Sequence, residues 1–215
     1  MNPRRILNVL ACLIALAPIL VACEAAPPAA AATAPPGSQT AVLAGGCFWG
    51  MEEVFESLRG VSNVVAGFAG GSAATAHYEV VSTGATGQAE SVQITFDPKK
   101  ISYEQLLDVY FNVAHDPTQL NHQGADEGTQ YRSAIFYATP EQQSEARDSI
   151  RKLTEAKTFS SPIVTQVVPL TGFYAAEAYH QHYARLHPND PYIVNVDAPK
   201  MAALDRRYPQ LVASK

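Results

Sequence analysis

The residues best equipped for chemistry cluster around Cys47, in the run Gly45, Gly46, Cys47, Phe48, Trp49 and Gly50. A short apolar stretch, Ala41–Ala44, precedes the two glycines and reads as a buried strand. Beyond them Phe48, Met51, Val54, Phe55 and Leu58 recur at helical spacing. Cys47 therefore falls at the start of a helix, where unpaired backbone N–H groups and the positive end of the helix dipole favour a thiolate. The glycines allow close backbone approach, and the two rings directly after the thiol form a wall suited to a small apolar group such as an S-methyl. A lone cysteine is more often an inert core residue. Here the flanking glycines and aromatics favour a nucleophile.

The cysteine count sharpens this. The chain holds Cys12, Cys23 and Cys47. Arg4 and Arg5 followed by the apolar run Ile6–Ala22 have the form of a secretory signal, and Leu20, Val21, Ala22, Cys23 resembles the lipobox of bacterial lipoproteins. Residues 1–22 are read as that signal, cut before Cys23, whose thiol then carries the lipid that holds the protein on a membrane. An uncleaved anchor, or a plain secretory signal cut elsewhere, are the alternatives. Residues 23–40, rich in Ala and Pro, cannot bury a core and form an extended tether, leaving 41–215 as the catalytic domain. With Cys12 removed and Cys23 lipidated, Cys47 is the sole reactive thiol and no internal disulfide can form. The expected location is the cell envelope, on a membrane and facing the periplasm or the outside.

The elements that must position Cys47 follow from pattern. At 47% hydrophobic and 16% charged the chain has the composition of a globular protein, and a net charge of −5 with no basic stripe excludes a nucleic-acid binder. Val61–Phe68 and Ser91–Phe96 read as strands, the second with Val92, Ile94 and Phe96 alternating against polar neighbours. Ser102 with Gln105 is a capping-box signature for a helix through Ala114. Ser133–Ala138 is a strand, Thr139, Pro140 and Gln142 open a helix through Lys157, and Ile163–Leu170 is a last strand. The order β, α, β, β, α, β, α, β gives an α/β protein: a two-layer sandwich with a mixed central sheet and packed helices. Beyond Gly172 a long, coil-rich tail is expected, with a short helix near Ala175–Tyr183.

GGCFWG at 45–50 closely resembles the signature of the A-type peptide methionine sulfoxide reductases. The resemblance continues in GFAGG (Gly67–Gly71), TGQAE (Thr86–Glu90), HDPT (His115–Thr118) and QGADEGTQYRS (Gln123–Ser133). It covers about 41–183 and implies a ferredoxin-like core. It also implies roles: Cys47 attacks the sulfoxide sulfur, and Glu90 is the acid that protonates the departing oxygen. Tyr78 and Tyr131 hydrogen-bond that oxygen, Asp126 belongs to the same pocket, and Phe48 and Trp49 cradle the methyl group. A carboxyl can donate at neutral pH only if burial raises its pKa. The implied products are methionine, from the S epimer of its free or protein-bound sulfoxide, and a sulfenic acid on Cys47.

Two departures stand out. Gln88 occupies a position that is histidine in many members. The C-terminal cysteines that resolve the oxidised nucleophile in many members are also missing, since the chain ends in LVASK. Regeneration therefore falls to an external thiol, from a thioredoxin-like or glutaredoxin-like protein or a small molecule, with no bound cofactor. Besides that reductant and an oxidised protein or peptide substrate, no partner is implied, and a monomer is expected. His180, His182 and His187 lie outside any HExxH or CxxC pattern, so no metal is expected. A non-catalytic binder of oxidised peptides, or a cysteine hydrolase with His115 or His180 as base, are competing readings; no spacing supports the latter dyad.

Overall fold

The computed structural model describes residues 35–213. Residues 1–22, Cys23 and the tether as far as 34 lie outside the described residues. The first strand, β1 (Gln39–Ala44), starts two residues before the apolar run because Gln39 and Thr40 pair with Phe96 and Thr95. It is followed by α1 (Phe48–Glu56), β2 (Val61–Ala69), a helical turn at Tyr78–Val81, β3 (Ala89–Phe96) and α2 (Tyr103–Val109). Then come β4 (Ala134–Tyr137), α3 (Pro140–Glu155), β5 (Gln166–Pro169), β6 (Phe173–Ala175) and α4 (Ala198–Arg207).

The strands form one sheet in the order β5-β4-β1-β3-β2-β6, parallel between β4 and β5 and antiparallel elsewhere. β1 lies inside the sheet, and its alternating side chains feed two cores. Ala41 and Leu43 join the main core with Phe68, Val92, Ile94 and Phe96, whereas Val42 and Ala44 join a smaller cluster with Ala69, Ala134 and Phe136 on the other face. Met51 of α1, Leu106 of α2, Ala146 of α3 and Leu204 of α4 all enter the main core. The sandwich is therefore two-layered, with helices over one face of a mixed sheet.

Local signals act as their chemistry dictates, with one exchange of partner. Ser102 Oγ accepts the Gln105 N–H at 3.1 Å while Gln105 Oε1 accepts the Ser102 N–H at 2.9 Å, which completes the capping box. At α3, Thr139 Oγ1 accepts the Gln142 N–H, but the Gln142 side chain does not return to the cap. It accepts from the Ala138 N–H and donates to the Thr40 carbonyl, tying α3 to β1.

Two sequence expectations are corrected. The helix expected through Ala114 ends as α-helix at Val109 and widens into a π-turn over Tyr110–Ala114. There the Tyr110 carbonyl bonds His115 Nδ1 at 2.9 Å, and the Tyr110 hydroxyl donates to the Ala44 carbonyl at 2.8 Å. The helix expected near Ala175–Tyr183 is instead the end of β6, which adds to the β2 edge, and a single 3₁₀ turn at Ala178–His180. The tail's longest helix is α4, opened by Pro199 in its first turn. Its thin apolar face, chiefly Met201 and Leu204, hides it from periodicity. No helix among the described residues is long and apolar enough to cross a membrane.

Candidate active site

Cys47 sits between β1 and α1. Gly46 makes the turn possible: its φ of +85° is a left-handed conformation that side chains disfavour, and a Cβ there would lie 2.6 Å from Gln123 Cγ. Its N–H donates to the Tyr131 carbonyl at 3.2 Å, which fixes the Tyr131 loop beside the thiol. Cys47 occupies the N-cap position of α1, and the Phe48 N–H that follows is satisfied by Glu90 Oε2 at 3.1 Å. Glu90 reaches that N–H because β3 runs antiparallel to β1. The pairing Leu43↔Val92 brings the first residues of β3 alongside the turn after β1.

Glu90 is 2% exposed, and the carboxyl is pushed up to about 8. Burial is the main cause and Asp126 adds to it, against the pull of the Phe48 N–H and a hydrogen bond with the Cys47 thiol. It is therefore protonated at neutral pH. Cys47, 9% exposed, departs from the expectation of a ready thiolate. Burial first, and then Glu90, push the thiol well above its usual range, and the N–H of Trp49 at the helix start offsets only part of this. The helix terminus acts as expected but desolvation is larger. The resting pair is a thiol beside a neutral carboxyl.

One cavity of about 180 Å³ is lined by Cys47, Phe48, Trp49, Tyr78, Glu90, Asp126, Tyr131 and Tyr192. All the residues that the family resemblance assigned to the site thus meet in one place, although they come from four separate stretches of chain. Tyr78 begins the turn at Tyr78–Val81, where its N–H donates to Glu177 Oε1, and Tyr131 ends a 3₁₀ turn at Thr129–Tyr131. Burial raises the pKa of both tyrosines, so they remain hydrogen-bond donors. Asp126 comes from a two-residue hairpin with His122 and Gln123.

Sequence reasoning missed Tyr192, whose hydroxyl donates to Asp126 Oδ2 at 2.5 Å, together with the aromatic support behind Trp49. The Trp49 indole stacks on Tyr183 with centroids 3.8 Å apart, and its N–H donates to His180 Nδ1 at 3.2 Å. The tail's density of Tyr and His was the available signal. Neither histidine named as a possible base lines the cavity that holds Cys47. His180 Nδ1 is taken by Trp49, while His115 bonds Tyr110 and Ser133, and burial lowers its pKa to about 4. Gln88, the departure in TGQAE, spends both ends of its amide on the Gly71 N–H and the Ser72 carbonyl and lies outside the cavity.

The arrangement pairs a nucleophile with a neutral acid, offers hydroxyl donors to an oxygen, and has an aromatic side for an apolar group. Comparison with known proteins agrees with that chemistry. The sequence profile of the family described as Peptide methionine sulfoxide reductase matches residues 39–211. The protein named Peptide methionine sulfoxide reductase MsrA 2 from Mesorhizobium japonicum is 53% identical over 182 residues, 85% of this chain and 93% of that protein. Among solved structures, methionine sulfoxide reductase A of Corynebacterium diphtheriae matches with TM-score 0.65 at 37% identity, covering 72% of this chain and 77% of that one. The reduced form of Mxr1 from Saccharomyces cerevisiae matches with TM-score 0.69 at 32% identity, covering 73% and 90%.

Proposed function

The chain belongs to the peptide methionine sulfoxide reductase family, and from that premise we propose that the 180 Å³ cavity is its active site, with Cys47 as nucleophile and Glu90 as acid. The reaction is the reduction of methionine sulfoxide to methionine. The observation that carries the residue assignment is the neutral, buried carboxyl of Glu90 held against the thiol at the start of α1.

In this reading the Cys47 sulfur attacks the sulfoxide sulfur. Glu90 delivers its proton to the sulfoxide oxygen and takes up the proton that leaves the thiol, so the carboxyl ends neutral as it began. The hydroxyl then passes to the Cys47 sulfur, so that the S–O bond and the bond that the attack formed between the two sulfurs both break. The products are methionine, whose sulfur has gained two electrons, and a Cys47 sulfenic acid, whose sulfur has lost two. The Tyr78 and Tyr131 hydroxyls hold the oxygen, Asp126 fixed by Tyr192 shapes the same wall, and Phe48 and Trp49 receive the methyl group. Separate places for oxygen, methyl and the rest of the side chain select one epimer, and the resemblance to the A-type reductases implies that this is the S form, in free or protein-bound methionine sulfoxide.

Cys47 is the free cysteine among the described residues. An external thiol, from a thioredoxin-like or glutaredoxin-like protein or a small molecule, therefore attacks the sulfenic acid, releasing water and leaving a mixed disulfide. A second thiol then frees Cys47. The signal-like run before Cys23 supports a lipid-anchored protein of the cell envelope that repairs oxidised proteins there. Intact mass measurement of membrane-extracted protein checks the anchor, since a retained Met1 or a bare Cys23 overturns it.

The catalytic assignment is tested by assaying separated R and S sulfoxides of a blocked methionine with dithiothreitol, beside Cys47→Ser and Glu90→Gln. The S form alone should turn over, with no activity in the serine variant and a loss of at least about 100-fold in the glutamine variant. Full activity in either variant refutes the corresponding role.

A further inference from the structure

At the other end of α1 from Cys47, the helix carries Glu52 and Glu56, four residues apart and hence on one face. Glu52 is 0% exposed, and burial above all pushes its carboxyl up to about 8. Its Oε2 accepts the His182 N–H at 2.6 Å, but its Oε1 is buried and makes no hydrogen bond among the described residues. The His182 imidazole closes the group: its Nδ1 lies 2.5 Å from Glu56 Oε1 and 3.7 Å from Glu52 Oε1. His182 is held at a left-handed φ of +57°, rare for a residue with a side chain, and this turn presents both its N–H and its ring to the glutamates.

We propose that Glu52, Glu56 and His182 form a binding site for a divalent cation, with Zn²⁺ as the occupant that two carboxylates and one imidazole fit best. One ligand atom from each residue lies within 4.8 Å of the others. Tetrahedral Zn²⁺ with bonds of about 2.0–2.2 Å needs ligand atoms roughly 3.4 Å apart. Binding would spread the short His182–Glu56 contact and draw the outermost pair in by up to about 1.4 Å, within the reach of side-chain rotation. A cavity of about 580 Å³ lined by Glu53, Glu56, His182, Arg185 and Met201 supplies the entry path and room for a water ligand. The ion would provide the missing partner of Glu52 Oε1 and sit at the negative end of the α1 dipole. Arg185, whose Nε is 3.9 Å from Glu56 Oε2, is the competing cation, and its exposed side chain can swing clear.

The sequence gives no hint of such a site because Glu52 and Glu56 are separated from His182 by more than a hundred residues; only the fold unites them. Its consequence would be mechanical. His182 lies between His180 and Tyr183, the residues that support Trp49, so a bound ion would clamp that stretch of tail to the helix that begins at Cys47.

The test is a Zn²⁺ titration by calorimetry, with thermal unfolding, on the full-length chain carrying Cys12→Ser, Cys23→Ser and Cys47→Ser so that no thiol can ligate, after removal of metal with EDTA. One Zn²⁺ per chain should bind, and a hundredfold excess over Kd should raise Tm by about 5 °C or more. Glu56→Gln and His182→Asn, the latter chosen because asparagine tolerates left-handed backbone, should each weaken binding at least about 10-fold and, at the same Zn²⁺ concentration, cut the Tm shift to about half or less. Both residues lie outside the catalytic cavity, so the same substitutions in the chain that keeps Cys47 should remain active, showing that they fold. Absence of binding overturns the proposal, as does binding that survives both substitutions unchanged, which would mark an adventitious ion only.

Discussion

Replacing Glu90 with glutamine should stabilise the protein at neutral pH while lowering its activity at least about 100-fold. In the unfolded chain the carboxyl titrates near 4.5, but in the folded protein it is pushed up to about 8. Between these values the native state holds a proton that the unfolded state has lost. Stability therefore falls as pH rises through that window, at about 1.4 kcal/mol per pH unit, and at pH 7 the native state is disfavoured by roughly 3 kcal/mol. Glutamine keeps the shape and does not titrate. Its amide can still offer an oxygen to the Phe48 N–H, so little is lost in exchange. Urea unfolding of both proteins at pH 4, 5.5 and 7 isolates the effect, because every other titrating group, buried Glu52 included, cancels in the difference. The two should be nearly equal at pH 4, with the variant ahead by roughly 2–3 kcal/mol at pH 7. A difference that stays constant across this range, or a variant less stable at pH 7, would refute the claim that the fold holds this carboxyl neutral.

The same proton governs the rate: kcat/KM should fall as pH rises above about 8, as Glu90 ceases to be an acid, and initial rates from pH 6 to 9.5 should lose that limb in Glu90→Gln. Gly50→Ala reverses a simple propensity argument. Alanine favours a helix by about 1 kcal/mol, yet its Cβ would lie 2.0 Å from Asp197 Oδ1 and 2.9 Å from Lys200 Nζ, against a buried ion pair. The variant should be less stable by about 2–3 kcal/mol in urea unfolding. Tyr192→Phe removes the donor to Asp126 Oδ2 and should lower stability by about 1.5 kcal/mol, read as a Tm lower by roughly 5 °C.

What was legible in the sequence was local. Val92, Ile94 and Phe96 alternate because one face of β3 enters the main core, Ser102 and Gln105 cap because they lie one turn apart, and the GGCFWG run carries its turn and its helix start in adjacent residues. What was hidden depends on distant chain. Tyr192 reaches Asp126 across 66 residues, and His180 and Tyr183 find Trp49 only once the tail has folded over α1. The state of Cys47 shows the same division. The helix terminus that favours a thiolate can be read from neighbouring residues, whereas the burial that outweighs it is assembled by strands and loops far along the chain. The π-turn at Tyr110–Ala114 likewise answers to Ala44, His115 and Ser133 rather than to its own residues.

The central claim is that Cys47 carries the oxygen away from the substrate and cannot discharge it unaided. It is tested most directly by a single turnover of the reduced full-length chain with methionine S-sulfoxide in the absence of any reductant, followed by trapping with dimedone and peptide mass analysis. One methionine should form per chain, with one dimedone adduct on Cys47 and no second turnover until a thiol is added. Methionine formation without an adduct on Cys47, or continued turnover with no reductant present, would contradict it.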